Sequence, residues 1–368
     1  MKRSRVLKRG IFFGVACFCV AALALFWAVD FSSFFTVSYD RANAEAEMGA
    51  VATSTARRVP KLDVAAYDAK MLALAHRSAT STIVATSTAT SSPAKKYLWP
   101  PKTAYPNAGA LLPFNRIVAY YGNFYSKGMG VLGEYPQDVV IEKLKAAVAE
   151  WEAADPSTPV IPAIDYIAVT AQLSPVDGTY RARMPDSQID IALDLAEKVN
   201  GIVILELQVG LSTVQKEIPQ LEKYFKLPNV HVALDPEFSM KDGTRPGKAI
   251  GTMNAEDINF AAQYLAKLVR DNNLPPKIIL IHRFTEDMLT GYTEIEPLPE
   301  AQIVVVMDGW GFGAKKINTY NTVIYPEPIQ FTGFKLFYKN DLFPPSTRLL
   351  TPKEIIDLTP SPSFIQYQ

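Results

Sequence analysis

From residue 115 onward the chain alternates short, β-branched apolar runs with longer stretches whose apolar residues recur every three or four positions. The runs are RIVAYY (Arg116–Tyr121), VIPAIDY (Val160–Tyr166), GIVILEL (Gly201–Leu207), VHVALD (Val230–Asp235), KIILIH (Lys277–His282), QIVVVM (Gln302–Met307), GFKLFY (Gly333–Tyr338) and FIQYQ (Phe364–Gln368). They are short enough for strands and too continuously apolar for strands with one wet face, so they predict strands covered on both sides. Between them the spacing predicts helices over Pro136–Ala154, Ser187–Val199, Thr213–Phe225 and Ala255–Asn272. In the last, Ile258, Ala261, Ala262, Leu265, Leu268 and Val269 share one face, Asn254 stands at the cap position, and Glu256 and Asp257 make an acidic first turn. Shorter helices are expected at Glu286–Leu289, Ala314–Asn321 and Pro352–Leu358.

Strands alternating with helices imply an α/β protein with a parallel sheet. Eight such repeats in about 255 residues fit a (β/α)8 TIM barrel, whose usual size is about 250. A doubly wound open sheet would want a glycine-rich phosphate loop after an early strand. Gly122–Gly130 (GNFYSKGMG) lacks the G-x-G-x-x-G spacing, which disfavours a dinucleotide fold.

The N-terminal third has a different pattern. Lys2, Arg3, Arg5, Lys8 and Arg9 precede Ile11–Val29, an uncharged run of nineteen residues, long enough to cross most of a hydrocarbon core of roughly 30 Å. The expected organisation is a basic cytoplasmic end (1–10), a single-pass signal anchor (11–29), a stalk (30–106) and an extracytoplasmic barrel domain (107–368). The membrane is thus an expected partner. A cleaved signal peptide is the alternative, but the nearest small-x-small site, Ala42-Asn43-Ala44, lies beyond Phe31, Phe34 and Phe35. The stalk carries the tracts ATSTARR and SATSTIVATSTATSSP, which bury too little to fold alone. Within it, Val64–His76 is amphipathic enough to form a short helix, on a membrane surface or as a local turn.

Composition narrows the picture in two ways. Lysine plus arginine and aspartate plus glutamate are balanced at 37 each, so there is no electrostatic footprint for nucleic acid. Both cysteines, Cys17 and Cys19, fall in the apolar run, so the rest of the chain relies on its core and not on disulfides.

In a barrel the chemistry sits at the C-terminal ends of the strands. Those ends carry Tyr121, Asp165, Glu206 followed by Gln208, Asp235-Pro236-Glu237, His282, Asp308 followed by Trp310, and Tyr338. One carboxylate after a strand is commonly a cap or a turn residue. Repetition at several strand ends is harder to dismiss, because a buried carboxylate without a partner is costly. Asp235 and Glu237 are spaced i, i+2, which puts both on one side of a strand if the strand persists that far. Repulsion and burial would then raise one pKa and leave a proton donor beside an ionised partner, the arrangement that glycosidic cleavage uses.

On Asp235-Pro236-Glu237 and the late Asp308, the chain resembles the glycoside hydrolase superfamily of (β/α)8 barrels, and loosely the lysozyme-type muramidases of family 25. The resemblance implies Glu237 as the acid and Asp235 as the assisting carboxylate, with a polysaccharide or envelope component as substrate and no cofactor. It departs at the first strand, where RIVAYYGN lacks that family's Asp. Asp165, Glu206, Gln208, His282, Asp308, Trp310, Tyr121 and Tyr338 are the expected substrate-binding residues. Two other readings use the same positions. One is a barrel that binds glycan or an envelope protein without turnover. The other is a metal-dependent hydrolase, since carboxylates with one imidazole suit Mg²⁺, Mn²⁺ or Zn²⁺. No H-x-H, H-E-x-x-H or multi-cysteine spacing supports zinc hydrolysis directly, and no G-x-S-x-G supports a serine nucleophile.

Overall fold

A computed structural model describes residues 61–78 and 97–368. The expected basic end and signal anchor, and most of the expected stalk, lie outside the described residues. Among the described residues, no helix is long and apolar enough to cross a membrane.

Eight parallel strands form the sheet: β1 (Arg116–Gly122), β2 (Val160–Ala171), β3 (Ile202–Leu207), β4 (Val230–Leu234), β5 (Lys277–Arg283), β6 (Ala301–Met307), β7 (Phe331–Leu336) and β8 (Phe364–Tyr367). Each pairs with its sequence neighbour, and β8 pairs with β1 (Ile117↔Phe364), so the sheet closes into a barrel. The eight expected runs are these eight strands, each within a few residues.

Side chains alternate between the two faces with the strand period of two. Val118, Ile164, Val203, Leu205, Val232, Ile279, Val305 and Phe334 face outward, against the helices. Ile117, Ala119, Ala163, Ile202, Ile204, Ala233, Ile278, Leu280, Val304, Val306, Phe331 and Phe364 fill the interior. Small residues alternate with large ones there, as a packed barrel requires. Gly333 is one such small position: a Cβ on it would come within 3.0 Å of Phe364 O and Val306 Cγ2.

The outer layer includes α2 (Gln137–Ala154), α3 (Asp186–Lys198) and α4 (Ala255–Asn272). In α2, Val140, Ile141, Leu144, Ala147 and Trp151 recur at helical spacing and are the residues it buries. A capping box between Asn254 and Asp257 starts α4, and Asn273, in the left-handed region at φ 51°, ends it. The helix expected over Thr213–Phe225 is broken into short pieces, Val214–Glu217, Ile218–Leu221 and Glu222–Phe225. Pro219 lacks the N–H that a continuous helix would need.

An inserted hairpin raises the wall above β2. Arg181–Arg183 pairs antiparallel with the end of β2. Buried Glu217 holds it, accepting from Arg181 Nε at 2.8 Å and Arg183 Nε at 2.7 Å. Gly210 passes beneath at φ +59°, where a Cβ would lie 2.5 Å from Thr179 O.

The opposite end of the barrel is closed. Leu112 plugs it, exchanging hydrogen bonds with the Gln302 side chain at 3.2 and 2.8 Å. Over this plug lies α1 (Val64–Leu74), capped by Asp63 and burying Tyr67 and Met71 in the interior cluster with Ile117, Phe331 and Phe364. Ser361 N donates to Leu74 O at 2.7 Å. Residues 61–78 therefore belong to the folded body and not to the expected stalk. The same holds for 97–106, where Trp99 Nε1 donates to Tyr325 O at 2.8 Å. The physical reason is that Tyr67, Met71 and Leu74 cover an apolar barrel end that local composition does not reveal. Met71→Ala is expected to destabilise the full chain by about 2 kcal/mol, measured by urea unfolding. A change below about 0.5 kcal/mol, the scatter of ordinary surface substitutions, would show that the helix does not dock.

Candidate active site

The inward-facing position at the C-terminal end of each barrel strand is polar or aromatic. In strand order these are Tyr121, Asp165, Glu206, Asp235, His282, Asp308, Lys335 and Gln366. All eight are at least nine-tenths buried, and together they floor the mouth. Charged groups placed so deep must find partners or change protonation.

Most are paired. Tyr121 donates its hydroxyl hydrogen to Glu206 Oε1 at 2.9 Å, and Gln208 Nε2 donates to the same oxygen at 3.3 Å. His282 sits between two carboxylates, with Nε2 2.9 Å from Glu206 Oε2 and Nδ1 3.1 Å from Asp308 Oδ2. Lys335 Nζ lies 3.1 Å from Asp308 Oδ1 and 3.9 Å from the centre of the Tyr121 ring. Gln366 Nε2 donates to Asp165 Oδ2 at 2.5 Å. Asp165 Oδ1 and Gln366 Oε1 have no hydrogen-bond partner among the described residues.

These contacts split the titrations. Burial opposes the charge on His282, but Glu206 and Asp308 outweigh it and hold the imidazole pKa well above its ordinary value. Burial also opposes ionisation of Asp308, yet Lys335 and His282 hold its pKa below the usual carboxylate range. Burial, then the charge of Glu206, raises Asp165 to about 8. Burial, then Glu206 and Glu237, pushes Asp235 well above its ordinary value. Burial, then Asp308, raises Glu237 to about 7.

Asp235 and Glu237 reach the mouth by a different route from the expected one. The strand ends at Leu234, and Asp235 caps a 3-10 turn over Pro236–Phe238. Its Oδ1 accepts the Glu237 N–H at 3.1 Å. Pro236 cannot donate to a neighbouring strand, so strand alternation stops here and the turn orients Glu237. Gly251 fits against this turn, where a Cβ would lie 2.6 Å from Pro236 O.

Of the residues singled out from sequence, Tyr121, Asp165, Glu206, Gln208, Asp235, His282 and Asp308 come together in this network. Trp310 does not join it. It is 41% exposed beyond the rim, edge-on to Phe343 at 6.0 Å. Tyr338 faces the outer layer, stacked on Tyr367 at 5.1 Å and 3.0 Å from the Tyr120 hydroxyl. It is one position out of phase with Lys335, and Phe337 takes the inward place. Lys335 and Gln366 stand inside their strands as Asp165 and Glu206 do, but in GFKLFY and FIQYQ only the strand-end residues suggest a site. The two-residue alternation counted back along each strand is the signal that finds them.

No family model matches the sequence, and neither does any curated protein. Among solved structures, the chain is similar to GH26C from Muricauda sp., at 11% identity over 59% of this chain and 73% of that one, with a TM-score of 0.30. It is also similar to a ruminal GH26 endo-beta-1,4-mannanase, at 12% identity over 69% of this chain and 59% of that one, with a TM-score of 0.32. The chain thus spans less than two thirds of that mannanase. Likenesses this distant say nothing of the site, and the barrel rests on its own strand pairing.

Proposed function

We propose that this barrel is a glycoside hydrolase-like enzyme acting on an envelope or extracellular polysaccharide. Glu237 is the general acid and Asp308 the ionised carboxylate that offsets positive charge developing on the sugar. The observation that carries the reading is a carboxyl at the mouth raised to about 7 by burial and by a second carboxylate that stays ionised. Acid-catalysed cleavage of an acetal needs both states at once near neutral pH. Asp308 keeps its charge because Lys335 and His282 flank it. Asp235, assigned the assisting role by the resemblance, has its pKa pushed well above the ordinary value by burial and by Glu206. It serves the acid by holding the turn that carries it.

The basic and apolar N-terminal run fits a chain held at a membrane, which favours a polymer near that surface over a freely diffusing metabolite. The test uses the purified full chain on peptidoglycan, β-glucans, β-mannans and exopolysaccharides, with reducing ends as the readout. New reducing ends from one polymer class are expected. Saturable binding to a polymer with no turnover on any of them would replace the enzyme with a binding barrel.

A further inference from the structure

We propose that Asp165, Glu206 and His282 form a site for one borderline transition cation, such as Zn²⁺, in the floor of the mouth. The inference does not depend on the glycosidase reading, and Glu237 is not a ligand in it.

The three residues face inward from β2, β3 and β5, all fully buried, and each offers one ligand atom within 4.8 Å of the others. What separates this group from an ordinary acidic cluster is how each ligand is held. Each has one atom facing a group outside the triad and a second facing the other two members. Tyr121 and Gln208 donate to Glu206 Oε1, which leaves Oε2 to face His282 Nε2 at 2.9 Å. Gln366 donates to Asp165 Oδ2, which leaves Oδ1 without a partner. Asp308 Oδ2 lies 3.1 Å from His282 Nδ1, and the cation takes the place of the proton between His282 Nε2 and Glu206 Oε2. A carboxylate behind a histidine in this way is how proteins orient an imidazole ligand.

A second observation points the same way. Gln366 Oε1 is a buried carbonyl oxygen with no hydrogen-bond partner, on the residue that steadies Asp165. An orphaned acceptor at this depth is costly unless something positive meets it. Glu206 Oε2 and His282 Nε2 are 2.9 Å apart, a spacing that two neighbouring ligands of one cation can adopt at metal–ligand distances of about 2.0–2.2 Å. Two carboxylates balance a divalent charge. The imidazole nitrogen favours a borderline cation over Mg²⁺ or Ca²⁺, which prefer oxygen alone.

The experiment is isothermal titration of chelator-stripped full-length protein with ZnCl₂, and with MgCl₂ and CaCl₂ as comparisons. One equivalent of Zn²⁺ is expected to bind, at least about tenfold more tightly than Mg²⁺ or Ca²⁺. Asp165→Asn and His282→Gln are expected to lose that binding, and Asp308→Asn to weaken it by about 10- to 100-fold. Glu354→Gln, on the short helix before β8, leaves it unchanged. Absence of saturable one-to-one binding, or binding that survives both ligand substitutions, overturns the proposal. If the variants fail to fold, zinc-edge X-ray absorption on the unaltered protein decides. One imidazole in an oxygen-rich shell supports the site, and a shell without imidazole removes it. Both readouts detect the cation directly, so an inactive protein that binds Zn²⁺ and an active one that does not are told apart.

Discussion

Replacing Glu237 by glutamine is expected to lower kcat by about 10²- to 10⁴-fold on any polysaccharide the protein cleaves, the usual effect of losing a positioned acid. The amide keeps the size and much of the hydrogen bonding but cannot give up a proton. Substrates with an activated leaving group, which need no protonation to depart, should recover most of the rate of bond cleavage. In the unaltered enzyme, activity should fall as pH rises through about 7, because Glu237 then loses the proton it must deliver. A pH–rate profile without that limb would remove Glu237 from the acid's role. Stability carries the same signature with a defined sign. Glu237 titrates near its ordinary value when unfolded and at about 7 when folded, so between those values the folded chain binds the extra proton. Its contribution is present below the unfolded pKa and is lost as pH rises through the folded one. Glutamine has no charge to bury. At pH 8 the variant should therefore be more stable than the parent by roughly 1–3 kcal/mol in urea unfolding.

The second large effect is expected at Lys335. Its ammonium is almost fully buried, lies against Asp308 and covers the Tyr121 ring. Lys335→Met removes the cation and leaves a buried carboxylate with only His282 beside it. Breaking such a pair from one side should cost about 3–5 kcal/mol in urea unfolding. Much of that cost is the stranded charge and not the contact. Combining Lys335→Met with Asp308→Asn should therefore recover a large part of it, and the coupling should stand out in a double-mutant cycle. Additive losses would show that the two side chains act independently in solution, against the 3.1 Å contact.

How far the sequence reaches is clearest from pairs of residues. Asp165 and Glu206 were legible because each stands inside a β-branched run, where a carboxylate is out of place without a purpose. Lys335 and Gln366 do the same work from equivalent positions and were not legible by looking after the strands. They are hidden because GFKLFY and FIQYQ end in aromatic and amide residues that draw attention from the positions that alternate inward. Tyr338 shows the converse error, since a strand-end aromatic one step out of phase faces the helices. Asp235 and Glu237 were picked out together, but the reason offered, strand alternation, gives way to a capped 3-10 turn.

By itself the sequence determined the eight strands and three of the four long helices expected between them. Those elements are set by local periodicity and by short-range capping, which neighbouring residues carry. It also determined the zero net charge and the confinement of both cysteines to the N-terminal apolar run. Only the tertiary structure decided that α1 closes the barrel floor, because its partners Phe331 and Phe364 lie more than 250 residues away in the chain. Only closure of β8 on β1 could bring Gln366 to Asp165. The protonation of the mouth was decided there too. The same carboxyl group ionises readily beside Lys335 and His282 and resists ionisation at Glu237, and burial and charges brought from other strands make that difference.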